Sequence, residues 1–453
     1  MRRTLFILYI FLSASSIIIA GERGKSTPDN ALKAYLHNHD KSFIWTIDDT
    51  HNGDGVSTYR IILISQQWHG IIWKHELTII VPDTLKYRDA LLFITGGSLK
   101  DGKPNIHKWN EDLITSLSGI ARTNMCISAI LWQVPNQPLF DDLTEDALIS
   151  YTLHNYLDDH DLTWPLLFPM TKSAIRAMDA IQKFSRQELR FKVRNFVISG
   201  ASKRGWTTWL TGANDRRVKA IGPMVIDVLN MPVNVDYQKV VWGDYSIEIE
   251  DYVKLGIAQQ LGTENGDELV KMIDPYSYRK KLTMPKMIFI GTNDAYWPID
   301  AIKNYIDSIP GDNHICYTPN AGHDLGDKKT AFAALNALMG TTVTGRGFPP
   351  CDYTADENNG TVVINIKTDP DIVTSATLWS ADSGDRDFRD EKFTSSPIAL
   401  KNKPEFTVEI RIPDKGYRAF YVDLKCRAPY GDDYTQSTRM FVTDNHHLLL
   451  YKK

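Results

Sequence analysis

From about residue 56 the chain alternates two kinds of apolar pattern. VSTYRIILISQQW and HELTIIVP read as an early pair of strands, and ALLFITGG as a short, continuous apolar strand running into two glycines. A helical stretch from Trp109 to Arg122 follows, then the strand NMCISAILWQVP. In TKSAIRAMDAIQKF the apolar residues Ile175, Met178, Ile181 and Phe184 recur at helical spacing, with Ala174 and Ala177 beside them. The strand RNFVISGAS, the helix KRGWTTWLTGAN, the strands AIGPMVIDV, KMIFIGTND and HICYTPNAGH, and the helix KKTAFAALNALM complete this part. Uninterrupted apolar strands separated by helices predict a mainly parallel sheet covered by helices on both faces.

Two stretches, near 136–170 and 229–280, interrupt the rhythm and carry Trp164, Trp242 and several tyrosines. Such inserts roof a substrate site or pack at the periphery. After about residue 345 the texture changes. TVVINIKT, TSATLWSADS, PEFTVEIRIP, YRAFYVDLKC and STRMFVTD are short alternating strands without helices, which predicts a β-sandwich of immunoglobulin or fibronectin type over 345–453. Gly345, Gly347, Pro349 and Pro350 suit a linker before it. The layout is therefore a leader at 1–20, an α/β domain at 21–344 and a β domain at 345–453.

The leader is read from Arg2 and Arg3 followed by an apolar run ending at Ala20, the pattern of a secretory signal peptide; a retained anchor is the rival. The remaining 433 residues present no second membrane-length run, and export makes a secreted protein the expectation. The net charge of −4, from 51 basic and 55 acidic residues, gives no basic excess for a nucleic-acid partner. Four cysteines lack metal-site spacing, and no metal or cofactor is expected. Cys126 and Cys316 sit in apolar runs as core thiols, whereas Cys351 and Cys426 flank the C-terminal strands and are expected to form a disulfide. Asn359-Gly360-Thr361 is a glycosylation sequon in a turn.

The chemistry concentrates in Val197-Ile198-Ser199-Gly200-Ala201-Ser202-Lys203-Arg204-Gly205. An apolar strand passes through small residues into a serine and then a helix, the layout of a nucleophile elbow. It departs from G-x-S-x-G because Arg204 takes the second small position and glycine comes one later. Asp294 follows the strand in KMIFIGTND, and His323 follows the next one in HICYTPNAGHD. The order Ser202, Asp294, His323 matches a hydrolase triad: a base must take the serine's proton, and an acid must hold the base's tautomer. Asp227, after the strand AIGPMVIDV, is an alternative acid. An oxyanion needs donors, expected from the backbone N–H of Lys203 and from the Gly96–Ser98 turn, with Gly97 as the choice. The side chains of Lys203 and Arg204 would aid an anionic group or form internal ion pairs. Trp206 and Trp297, with Trp164 or Trp242 as further candidates, would line an apolar pocket.

LTWPLLFPMTKSAIRAMDAIQKF, FVISGASKRGWTTWLTGANDRRVKAIGPMVIDVLNM, PNAGHD and, in the C-terminal part, LWSADSGDRDFRD resemble the PhoPQ-activated pathogenicity-related proteins, a family that includes secreted proliferation repressors. The resemblance implies an α/β-hydrolase fold and assigns the nucleophile to Ser202, the acid to Asp294 and the base to His323. Ala295 departs from it, standing where a second acidic residue is expected. The three residues and the leader together make the expected function a secreted serine hydrolase cleaving a small ester or a peptide-like carbonyl. Its rival is a secreted signalling protein on the same scaffold, engaging a cell-surface receptor without catalysis.

Overall fold

The computed structural model describes residues 26–400 and 403–450, so the leader at 1–20 lies outside the described residues. The strands are β1 (Ile44–Gly53), β2 (Val56–Trp68), β3 (Ile71–Pro82), β4 (Asp89–Ile94), β5 (Leu99–Lys100), β6 (Lys103–Pro104), β7 (Ile127–Leu131), β8 (Asn195–Ala201), β9 (Val218–Met224), β10 (Lys286–Gly291) and β11 (Asn313–Thr318). The C-terminal part adds β12 (Asp352–Asn358), β13 (Thr361–Lys367), β14 (Val373–Ser383), β15 (Thr394–Ile398), β16 (Glu405–Arg411), β17 (Tyr417–Cys426), β18 (Tyr434–Ser437) and β19 (Phe441–Thr443). The helices used below are α1 (Ala31–Leu36), α2 (Asp112–Asn124), α3 (Glu145–Asp159), α4 (Leu167–Gln187), α5 (Lys203–Asn214), α6 (Met231–Trp242), α7 (Glu250–Lys254), α8 (Ile257–Gln260), α9 (Glu264–Ile273) and α10 (Lys329–Thr344).

The strands from β1 to β11, apart from the short pair β5 and β6, lie in the order β1-β2-β3-β7-β4-β8-β9-β10-β11. Pairing is antiparallel from β1 to β7 and parallel from β7 to β11. The sheet is thus mixed, with a parallel centre. Its central strands are almost wholly buried because both faces are covered. In β4, Ala90, Leu92 and Ile94 join one buried cluster with α4 and α5, while Leu91 and Phe93 join another with α2 and α10. The helix expected from Trp109 begins at Asp112 and runs to Asn124.

The C-terminal strands do not stand apart. β18 pairs antiparallel with β11 through Ile315 and Ser437, so the central sheet continues as β18-β17-β14-β15. A separate sheet, β12-β13-β16, shares one apolar cluster with both: Val362, Ile364, Val408 and Ile410 belong with Phe420 and Val422, and also with Leu335 and Leu338 of α10. The change of texture at 345 therefore marks a change from parallel to antiparallel strands rather than a break between two cores. At the expected linker, Gly345 takes the left-handed conformation (φ 68°) that closes α10, and residues 346–351 run without regular structure into β12.

All four cysteines are thiols, so the Cys351–Cys426 bridge is not formed. The two thiols are neighbours nonetheless: burial pushes the Cys351 thiol well up, and Cys426 adds to the shift. Asn359 and Gly360 form a two-residue hairpin turn between β12 and β13, both at positive φ (47° and 74°), leaving the sequon exposed. Among the described residues, no helix is long and apolar enough to cross a membrane, and no cluster of three or more His, Cys, Asp or Glu could hold a metal ion.

Candidate active site

Parallel strands carry their C-terminal ends to one edge, and β8, β10 and β11 deliver Ser202, Asp294 and His323 there. Ser202 is the hinge between β8 and α5, at φ 58° and ψ −125°. An L-residue in that region costs about 1–3 kcal/mol and needs its surroundings to hold it. They do: the Ser202 N–H donates to Met224 O at 2.9 Å, and its carbonyl accepts from the Trp206 N–H at 3.0 Å. A Cβ on Gly200 would lie 2.8 Å from Ile94 O and 2.9 Å from Arg204 O; on Gly205 it would lie 2.6 Å from Ile226 Cγ2. Here α5 crosses β8 and β9 one residue later than G-x-S-x-G assumes. Gly205, and not position 204, therefore has to be small.

His323 Nδ1 lies 2.9 and 3.1 Å from the two carboxylate oxygens of Asp294. Asp294 also accepts from the Tyr296 N–H at 2.9 Å and is buried. The Tyr296 ring lies against the imidazole, with centroids 4.1 Å apart. The other ring nitrogen, Nε2, is shut off from solvent and has no hydrogen-bond partner. Ser202 and His323 line the same narrow cavity, of about 60 Å³. Asp227 is not the carboxylate that bonds His323. Its carboxylate accepts from Tyr305 Oη, and burial, opposed by that bond and reinforced by Asp294, raises its pKa to about 7.

The rest of the cavity is apolar. Trp206 and Trp297 line it, together with Ile226, Val228 and Leu153. The second insert contributes Met231, Val235, Ile249, Tyr252, Ile257, Ala258 and Leu261. Trp164 instead stacks on His69, and Trp242 lies under Arg389; neither lines the cavity. The Trp206 indole is fixed by a 2.7 Å bond to Ile273 O.

One polar cluster sits beside the cavity, pairing Lys203 and Arg204 with two carboxylates the sequence did not single out. Asp146 accepts from Tyr252 Oη at 2.9 Å and Tyr296 Oη at 3.2 Å, and pairs with Lys203 Nζ at 2.7 Å. Arg204 makes a bidentate pair with Glu145 at 2.6 and 2.7 Å. Both cations beside the serine are thus occupied internally. Their partners follow one another in LTEDAL, an acidic pair at a helix start that reads as ordinary helix-dipole chemistry. The Lys203 backbone, in the first turn of α5, has an N–H with no intrahelical acceptor and lies on the cavity. Gly97 does not line the cavity. At φ 129° it abuts Gln133, and its carbonyl accepts from Gln137 Nε2 at 3.2 Å.

An eight-stranded order from β2 to β11 in which β3 alone runs against the others, helices on both faces and a strained serine after a central parallel strand define an α/β-hydrolase fold. The chain belongs to the PhoPQ-activated pathogenicity-related protein family, whose model matches residues 32–389. It is similar to autocrine proliferation repressor protein A of Dictyostelium discoideum, at 29% identity over 447 residues covering 90% of this chain and 88% of that one. Among solved structures it is similar to acetyl xylan esterase 1 from Thermoanaerobacterium sp. JW/SL YS485, with TM-score 0.46 and 14% identity over 69% of this chain and 92% of that one. An S-formylglutathione hydrolase from Agrobacterium tumefaciens matches with TM-score 0.42 and 12% identity, over 66% and 99% of the respective chains.

Proposed function

We propose that the protein is a serine hydrolase that cleaves esters of small apolar acyl groups. One observation carries this reading: the buried His323 Nε2 has no partner, shares a cavity with the strained Ser202, and sits on a ring whose other nitrogen is held by Asp294. A buried imidazole nitrogen left unpaired is costly in a structural role and useful in a base. With Asp294 taking the Nδ1 proton's hydrogen bond, Nε2 is the basic nitrogen and accepts the Ser202 Oγ proton as oxygen attacks the acyl carbon. The Lys203 N–H and the positive end of α5 stabilise the oxyanion. Protonated Nε2 then gives its proton to the leaving alkoxide, and water repeats the sequence on the acyl-enzyme. The apolar wall from the second insert receives the acyl chain.

The expected result is covalent labelling by a fluorophosphonate and turnover of short-chain nitrophenyl esters, both lost in Ser202→Ala by about 10³-fold or more. A folded protein that neither labels nor turns over such esters sinks the reading. The relative named as a proliferation repressor favours a second one, signalling from the same scaffold. If signalling is independent of hydrolysis, Ser202→Ala keeps the biological effect.

A further inference from the structure

The loops that carry Asp294 and His323 are both held from outside the central sheet's parallel half, by one segment of the C-terminal strands. The residue before the acid, Asn293, donates from Nδ2 to three carbonyls of that segment: Phe388 at 3.0 Å, Arg389 at 3.2 Å and Glu391 at 2.8 Å. Three residues before the base, Asn320 forms a reciprocal amide pair with Phe393. Its Nδ2 donates to Phe393 O at 3.0 Å, and its Oδ1 accepts from the Phe393 N–H at 2.7 Å. The two loops are also linked to each other. The Asn320 N–H donates to Thr292 Oγ1 at 2.8 Å, and that hydroxyl donates to Asn293 Oδ1 at 2.8 Å. Asn293 N–H donates to Ala321 O at 2.9 Å.

We propose that Phe388–Phe393 is a positioning element for the acid and base, acting through Asn293 and Asn320. The proposal rests on the serine-hydrolase reading only where it speaks of rate. Its physical basis is the concentration of directional bonds. An amide that satisfies both its N–H groups on fixed carbonyls has one orientation, and the backbone either side of it inherits that constraint. The same segment reaches the roof of the cavity. The Arg389 guanidinium lies 4.3 Å from the Trp242 ring centre, and just before the segment Arg386 bonds Tyr237 Oη; both aromatics are on α6, whose Met231 and Val235 line the cavity. Acid loop, base loop and roof therefore share one strut. If these bonds served only to attach the C-terminal strands, their loss would lower stability without changing how each folded molecule turns over.

The test uses the full chain with Asn293→Ala and Asn320→Ala, and with Thr407→Ala as control. Thr407 makes a comparable side-chain bond (2.9 Å to Asn365) in the separate three-stranded sheet. Rates are expressed per fluorophosphonate-labelled site, which removes any difference in folded fraction. Each asparagine variant is expected to lose about tenfold or more in kcat per site with KM within about twofold; the control matches the wild type. Wild-type kcat per labelled site in both variants overturns the proposal. A second measurement needs no activity: proton NMR of the His323 Nδ1–H, identified by its loss in His323→Gln. Both asparagine variants are expected to broaden or shift that resonance, and an unchanged resonance overturns the proposal whatever the rates. If the wild type does not hydrolyse at all, the hydrolase reading fails, and the NMR result alone decides the positioning.

Discussion

At the scale of residues, the most informative positions are those where local chemistry and surroundings disagree. Asp227 is a carboxyl in a fully buried place, answered by one tyrosine hydroxyl. Burial raises its pKa from 3.8 to about 7, so between those values the folded protein holds a proton that the unfolded chain has released. Stability from this group is therefore complete below about pH 4 and declines as pH rises to about 7, by up to about 1.4 kcal/mol per pH unit. Asp227→Asn keeps an acceptor for Tyr305 and cannot ionise. The difference in melting temperature between variant and wild type is expected to grow in the variant's favour from pH 5 to pH 8, as followed by scanning calorimetry. A difference that stays flat across that range contradicts the account. The three residues of the proposed triad were legible because each ends an apolar strand in the right order. Asp294 was preferred to Asp227 because it ends the strand just before that of His323, and its carboxylate is the one that bonds the imidazole. Gly97 was read from a Gly-Gly turn after a strand, and its contacts with Gln133 and Gln137, two residues of the loop after β7, leave no mark in that local pattern.

At the scale of elements, α3 and α5 meet through opposite charges. Burial would raise the Glu145 pKa, but its bonds to Arg204 and Gln137 and the nearby Lys203 bring it down to about 2. A carboxylate held low contributes stability above its unfolded pKa near 4.5, and loses it as pH falls through about 2. About a third of the Glu145 side chain is exposed (37%), so solvent screens the pair and the contribution is about 1 kcal/mol. Glu145→Gln is expected to be destabilised by that amount at pH 6 and to converge on the wild type near pH 2, as read from urea unfolding. Helix and strand types were legible from periodicity, including α5 at its observed limits. The amide ties of Asn293 and Asn320 were not, since an asparagine beside a turn has an ordinary local explanation and its partners lie 73–98 residues away.

At the scale of the whole molecule, the sequence shows the C-terminal strands but not where they attach. Alternation gives the strands' faces, whereas the join to β11 rests on a short antiparallel contact between Ile315 and Ser437. Around it, Tyr317 Oη accepts from the Met440 N–H at 3.2 Å, and the Tyr317 ring packs 4.8 Å from that of Tyr421. A chain ending at Thr344 exposes the edge of β11 and one side of the cluster around α10. It is expected to be insoluble or unfolded by circular dichroism and size exclusion; a soluble, cooperatively melting product would show that the α/β part has its own complete core.

The attachment of the Asp294 and His323 loops to Phe388–Phe393 also sets a timetable. A ribosome delivers the serine hinge first, Asp294 and His323 roughly 90 to 120 residues later, and the segment that fastens their loops only after a further 70 to 100. The order of synthesis thus separates possession of the reacting groups from their alignment. On the reading proposed above, a nascent or prematurely terminated chain carries all three side chains of the proposed triad, yet lacks the segment that ties the loops of two of them, Asp294 and His323, and competence would arrive with the last quarter of the polypeptide.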